Sequence, residues 1–281
     1  MPTLVRSWNL FHGNASRPAG GVAASGLLEE MVRLISGPGP AGERPSIVCL
    51  QEVPPVALPL LEDWSGMAAH GVVAREPSLG PLRLPTRLAA RLTRIDPARL
   101  RSAFSGQANA VLVRRDLAVM AQETLPLNPT DFASSTARLL ELDPLALLAW
   151  LKEPRVAQAL RLRLPDGRTL ALVHTHCTSF PSDPAVPDAE VARAARWLHE
   201  VAAPGEIAVL AGDLNVPPHA SPALCALVES GFSPAAQWID QVLVRGAALA
   251  PPGRPVTWPD EHRTVAGLLL SDHAPVEVTI V

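Results

Sequence analysis

Short apolar runs that end in polar residues recur along the chain: TLVRSWN (3–9), SIVCLQE (46–52), ANAVLVRR (108–115), RTLALVHTH (168–176), EIAVLAGDLN (206–215), WIDQVLVR (238–245) and APVEVTIV (274–281). Several are almost continuous in aliphatic residues, as strands buried on both faces should be. The last alternates, with Val276, Val278 and Ile280 at period two. Between the runs, residues 22–35, 143–151 and 188–202 carry helical spacing; in the third, Val191, Ala195, Leu198 and Ala202 form the apolar stripe. This alternation predicts an α/β protein in which two packed sheets are covered by helices. Residues 1–281 read as one domain, interrupted by a Pro- and Arg-rich insertion around 75–105.

What ends each run is unusual. Asn9 follows Trp8, Gln51 and Glu52 follow Leu50, and His174 and His176 close the HTH run. Asp213 and Asn215 follow Leu210, Asp240 lies in WIDQVLV, and Asp272 and His273 stand before the final strand. One such end is an ordinary turn. Six of them at one edge of a sheet sandwich would make a single acid-rich pocket.

Composition allows a large core: 48% of residues are hydrophobic, so the 30 prolines mean rigid loops, not disorder. The net charge of −3 hides an asymmetry. Residues 75–115 hold nine arginines against Glu76 and Asp96, which makes that segment +7 and the remainder −10. Arg87, Arg91 and Arg94 share one helical face there, suited to a nucleic-acid backbone or, as a peripheral contact, an anionic lipid surface. A solvated arginine face is the plain alternative. Cys49, Cys177 and Cys225 show neither CxxC nor zinc spacing and read as reduced core or near-core thiols. With no apolar run long enough to span a membrane and no basic-then-apolar start, a cytoplasmic protein is expected.

Glu52, Asp213, Asp240 and Asp272 in one pocket would concentrate negative charge that calls for a cation. Oxygen donors select a hard ion, Mg²⁺ or Mn²⁺, in preference to zinc. His273 beside a partner such as Asp240 would be held in one tautomer, and His176 would donate to a phosphate. Asp213 would take a proton from water while Asn215 holds it, provided the strand continues so that both share a face. The six tryptophans read as packing residues; His12, His70, His199, His219 and His262 read as surface or loop. Arg155 supports the pocket or is an ordinary surface arginine. A zinc hydrolase built on HTH is disfavoured, because the further Asp-His pair it needs is missing.

The ordered series WNLFHG (8–13), LQE (50–52), NAVLVRR (109–115), HTH (174–176), GDLN (212–215), IDQVLV (239–244) and SDHAPV (271–276) resembles the endonuclease/exonuclease/phosphatase superfamily, of deoxyribonuclease-I-like fold. The resemblance spans nearly the whole chain. It implies a four-layered α/β sandwich and a metal-dependent phosphoester hydrolase, first of all a nuclease acting on DNA or RNA. A phosphomonoester or a phospholipid or inositol-phosphate head group is the alternative substrate, and a silent phosphate-binding relative a weaker one. It further implies that Glu52 binds the metal with Asn9 and Asp272 near it, that Asp213 and Asn215 handle the water, that Asp240 orients His273, and that His176 and His273 contact the phosphate. Two departures stand out. His174 replaces the asparagine usual at that place, and no carboxylate is assignable to support His176, with Glu76 the only guess.

Overall fold

The structure, a computed structural model, describes residues 2–17, 21–76, 78–79, 82–85, 106–180 and 182–281. Arg87, Arg91 and Arg94 lie outside the described residues.

Among the described residues eleven strands build the two large sheets: β1 (Thr3–Asn9), β2 (Ile47–Val53), β3 (Ala68–Arg75), β4 (Gln107–Val113), β5 (Ala118–Pro126), β6 (Val156–Arg163), β7 (Thr169–His176), β8 (Ile207–Asp213), β9 (Asp240–Arg245), β10 (Val256–Thr257) and β11 (Val276–Ile280). One sheet runs β10-β11-β1-β2-β4-β3 and the other β9-β8-β7-β6-β5. Each holds one parallel pair, β1 with β2 and β7 with β8, between antiparallel neighbours. Helices α1 (Leu28–Ser36) and α2 (Leu61–Ser65) cover the first sheet. Of the others, α3 (Thr130–Leu139), α4 (Pro144–Leu151), α5 (Ala185–Val201) and α6 (Pro222–Glu229), α5 and α6 cover the second.

Strand period two sorts the apolar residues into layers. On β2, Ile47 and Cys49 join Val5, Leu172, Val209 and Val242 between the sheets, while Val48 and Leu50 join Met31, Val32 and Ile35 of α1 outside. On β7, Leu170 and Leu172 face the other sheet, and Ala171 and Val173 face Val191 and Leu198 of α5. The result is the four-layered sandwich expected. Among the described residues no helix is long and apolar enough to cross a membrane.

Several expectations need correction. Helix α1 begins only at Leu28, because Gly26 is left-handed and Val22–Ala24 pairs with Ala15–Ser16 as a short strand. Strands β3 and β5 lie at sheet edges, where half-exposed residues blur the apolar signal, and the short α2, α3 and α6 also escape the sequence pattern. Cys49 and Cys177 are buried, but Cys225 is exposed on α6. Trp8, Trp150, Trp197 and Trp258 are buried and Trp64 packs beside the α1 cluster, whereas Trp238 stands 67% exposed.

Toward one end the space between the sheets turns polar. Gln51 Nε2 lies 2.6 Å from His174 Nε2 and 3.1 Å from Ser7 Oγ. His174 is fully buried, and burial lowers its pKa from 6.5 to about 3. It is a neutral inter-sheet histidine and not half of an HTH metal pair. Because its folded pKa lies below its unfolded one, its contribution to stability is complete above about pH 6.5 and is lost as pH falls toward 3. Between those limits its share of the slope approaches ~1.4 kcal/mol per pH unit. Urea unfolding of His174→Gln should therefore show a flatter acid limb than the parent; identical limbs would show that His174 does not carry the acid sensitivity.

Candidate active site

The same parity that sends Val5, Leu172, Val209 and Val242 inward sends Asn9, His176, Asp213 and Asp240 inward at the strand ends. Parallel pairing brings the ends of β7 and β8 together, with His176 opposite Asp213. Antiparallel pairing brings the start of β9 to the end of β8, with Asp213 opposite Asp240. The start of β11 reaches the end of β1 in the same way, which carries Asp272 and His273 to the pocket.

Glu52, His176, Asp213, Asn215, Asp272 and His273 line a cavity of about 270 Å³, with Asn9 bonded to Asp213 and Asp240 to His273. Asp213 is the centre of this cavity. Oδ2 accepts from Asn9 Nδ2 at 2.9 Å and lies 3.4 Å from His176 Nε2 and 3.8 Å from His273 Nε2, while Oδ1 accepts from the Asn215 N–H at 3.0 Å. Burial raises the Asp213 pKa; the His273 charge works against that rise and the Asp240 charge adds to it. His273 Nδ1 lies 2.8 Å from Asp240 Oδ2. Burial alone would neutralise His273, but the Asp213 and Asp240 charges outweigh it and hold the imidazolium.

His176 is in the opposite state. Its Nδ1 lies 2.9 Å from Gln107 Nε2 and 3.1 Å from an Arg155 guanidinium nitrogen. Both neighbours donate, so Nδ1 is the acceptor and the proton sits on Nε2, toward Asp213. Burial, and then the Arg155 charge, lower the His176 pKa well below 6.5. Glu76 is exposed, and the support for His176 comes from Gln107 and from Arg155, itself 5% exposed and paired with Glu153 at 2.8 Å. Arg155 is thus a pocket residue, which its sequence position left open. Gln107 gave no signal beyond standing just before NAVLVRR.

His12 overturns its surface reading. Its side chain is 5% exposed, lines the cavity and places Nε2 3.3 Å from Glu52 Oε2. Its membership in WNLFHG was the available clue. By parity Glu52 would join Val48 and Leu50 on the helix side, but the β2–β4 register slips between Leu50 and Val53, and Glu52 takes φ 54°. That bulge turns the carboxylate to the cavity. Asn215 does not share a strand face with Asp213: β8 ends at Asp213, and Asn215 at φ 51° donates from Nδ2 to the Cys177 carbonyl at 2.9 Å. It still lines the cavity.

Of seven non-glycine residues at positive φ among the described residues, Phe11, His12, Glu52, Asn215 and Ser271 surround this site. Each holds strain of about 1–3 kcal/mol, which the surrounding bonds must overcome. Ser271 Oγ donates to the Asn9 carbonyl at 2.6 Å, and Arg263 donates to the carbonyls of Leu270, Ser271 and His273 at 2.9, 3.0 and 3.1 Å. Glu190 anchors the exit of β7 by accepting from Thr178 N–H and Oγ1–H at 2.6 and 2.7 Å and from Trp150 Nε1 at 2.6 Å. Gly212 sits at φ 143°, where a Cβ would meet the Thr175 carbonyl oxygen at 1.8 Å. The GDLN glycine therefore permits β7 and β8 to approach beside the site.

Oxygens of Asp213 and Asp240 and a nitrogen of His273 lie within 4.8 Å of one another, a spacing compatible with a cation. Asp240 and His273 already bond to each other through Oδ2 and Nδ1. Glu52 and Asp272 line the same cavity, so the oxygen-rich donor set fits a hard divalent ion. Asn9 is turned partly away, donating to Asp213 and accepting from the Phe11 N–H at 3.0 Å.

A model of the Endonuclease/Exonuclease/phosphatase family matches residues 7–273. The chain belongs to that family. No curated protein matches it. Among solved structures, this endonuclease/exonuclease/phosphatase member is similar to a conserved Enterococcus faecalis V583 protein of unknown function, at TM-score 0.65 and 14% identity over 99% of both chains. It is similar also to an endonuclease/exonuclease/phosphatase protein of Beutenbergia cavernae DSM 12333, at TM-score 0.63 and 16% identity over 99% of this chain and 71% of that one. The catalytic domain of human Nocturnin, with a bound sulfate anion, matches at TM-score 0.62 and 16% identity over 100% and 93%. At these identities the likeness shows the shared fold.

Proposed function

We infer that this phosphoester hydrolase of the endonuclease/exonuclease/phosphatase family depends on a divalent metal and cleaves phosphodiesters of DNA or RNA. The carrying observation is the opposed state of two histidines around one buried carboxylate: a cationic His273 held by Asp240, and a neutral His176 held by Arg155 and Gln107. Asp213 takes the proton of the attacking water, its basicity raised by burial. Asn215, fixed by its bonds to Asp213 and Cys177, positions that water. His273 and the Nε2–H of His176 donate to the non-bridging oxygens of the phosphate, where charge grows in the transition state. The sulfate held by the Nocturnin domain has the tetrahedral shape of such a group.

Glu52, with Asn9 and Asp272, would hold Mg²⁺ or Mn²⁺. Such an ion would neutralise charge on the phosphoryl oxygens and lower the pKa of bound water. Arg87, Arg91 and Arg94 would track a nucleic-acid backbone, giving binding that falls steeply with salt.

The test is hydrolysis of supercoiled plasmid, single-stranded DNA and RNA with Mg²⁺, with Mn²⁺ or with EDTA. Phosphomonoesters and phospholipid vesicles serve as alternative substrates. Cleavage of a polymer that EDTA abolishes is expected. For Glu52→Gln, the Mg²⁺ concentration for half-maximal rate should rise about 10- to 100-fold. Hydrolysis of monoesters or lipids alone would overturn the nuclease reading, and undiminished activity in EDTA would overturn metal dependence.

A further inference from the structure

A second cleft, of about 470 Å³, adjoins the first across His273 and Asp272, which line both. That volume lies in the range of small-molecule sites, about 300–1,000 Å³. Its walls differ from those of the catalytic cavity: Trp238, Trp258, Ala274 and Val276 supply apolar surface, and Arg263 and Asp260 form a paired polar edge. Trp258 is buried, but the Trp238 indole is two-thirds exposed, two residues before Asp240. Its backbone is not loose, because its carbonyl accepts a short hydrogen bond from the buried Gln241 amide. A firmly anchored backbone thus presents a solvated aromatic face beside the imidazole that faces the phosphate. Exposed indole surface is costly in water and becomes favourable when a flat ring covers it.

We propose that this cleft binds a planar aromatic ring carried on the substrate's phosphate, a nucleobase or an aryl group, by stacking on Trp238. This rests on the phosphoester reading of the neighbouring cavity and extends it to the group attached to the phosphate. Stacking is sequence-tolerant, because every base has a π-face; the cleft would thus grip the substrate without selecting one base. The ring would occupy the Trp238 cleft and its phosphate the cavity of Glu52 and Asp213, which meet at the shared Asp272 and His273.

The test uses phosphonate analogues whose P–C bond resists hydrolysis: those of adenosine 5′-phosphate, of ribose 5-phosphate, and benzylphosphonate. Calorimetric titration with Mg²⁺ present gives affinities for the parent, Trp238→Ala and Trp238→Phe. The adenosine analogue should bind the parent about 10- to 100-fold more tightly than the ribose analogue. Trp238→Ala should erase that difference while leaving ribose-analogue affinity unchanged, and Trp238→Phe should keep part of it. Benzylphosphonate separates the two sources of the ring: tight, Trp238-dependent binding means that an aryl group suffices, and weak binding beside a tight adenosine analogue means that a nucleobase is needed. Equal affinity for all three analogues, or a ring preference that survives Trp238→Ala, would overturn the proposal and leave the phosphoester reading standing. Binding of none of them would overturn both.

Discussion

Asp213→Asn is expected to lower kcat by about 10²- to 10⁴-fold, with little change in KM. One Asp213 oxygen accepts from Asn9, with His176 Nε2 and His273 Nε2 3.4 and 3.8 Å from it, the other accepts from the Asn215 N–H, and the residue is 1% exposed. Burial raises its pKa, so Asp213 is a better acceptor for a water proton than an exposed carboxylate. Asparagine keeps the shape but cannot take that proton, and its amide nitrogen would face a cluster of donors. The measurement is steady-state hydrolysis of the best substrate, beside thermal unfolding of the same preparation. A folded variant with parental kcat would remove Asp213 from proton transfer.

The second large effect is expected at Asp240. Its Oδ2 accepts from His273 Nδ1 at 2.8 Å, and its charge is one of those that hold the imidazolium. Asp240→Asn loses that charge and permits the amide to donate to Nδ1, favouring a neutral ring with its proton elsewhere. An orienting aspartate of this kind is worth about 10²- to 10⁴-fold in rate. The sign with pH follows. Loss of the carboxylate lowers the His273 pKa, and in the proposed mechanism the protonated ring is the active form, so the alkaline limb of the rate profile should move to lower pH. If Asp240 acts through His273, adding Asp240→Asn to His273→Ala should cost within about threefold of nothing more. Multiplying losses would show that Asp240 contacts the substrate or metal independently.

Much of this site is readable in the sequence because period two is a rule about the backbone. Once TLALVHTH and EIAVLAGD are taken as strands, His176 and Asp213 must share faces with Leu172 and Val209, and the structure puts all four between the sheets. The ordered motifs also carried family membership, which the match over residues 7–273 establishes. The same rule fails at Glu52, where one register slip reverses the face, and at Asn215, where the strand stops two residues early. Sequence spacing describes regular backbone, and the site is built partly from positive-φ residues that depart from it.

Histidine chemistry marks the other boundary. His174 and His176 are two residues apart on one strand face and both buried, yet one bonds to Gln51 inside the sandwich and the other to Gln107 and Arg155 at its mouth. Their partners come from other strands and loops, as far as 123 positions away in the chain. By itself the sequence determined the layers, the inward set Asn9, His176, Asp213 and Asp240, and the family, because alternation and motif order are local properties. Tertiary structure alone decided that His12 and Arg155 belong to the site, that Glu52 turns inward, that His176 is neutral beside a cationic His273, and that Trp238 faces water next to them. Protonation state and exposure are set by what lies opposite a side chain, and that is known only when distant strands have met.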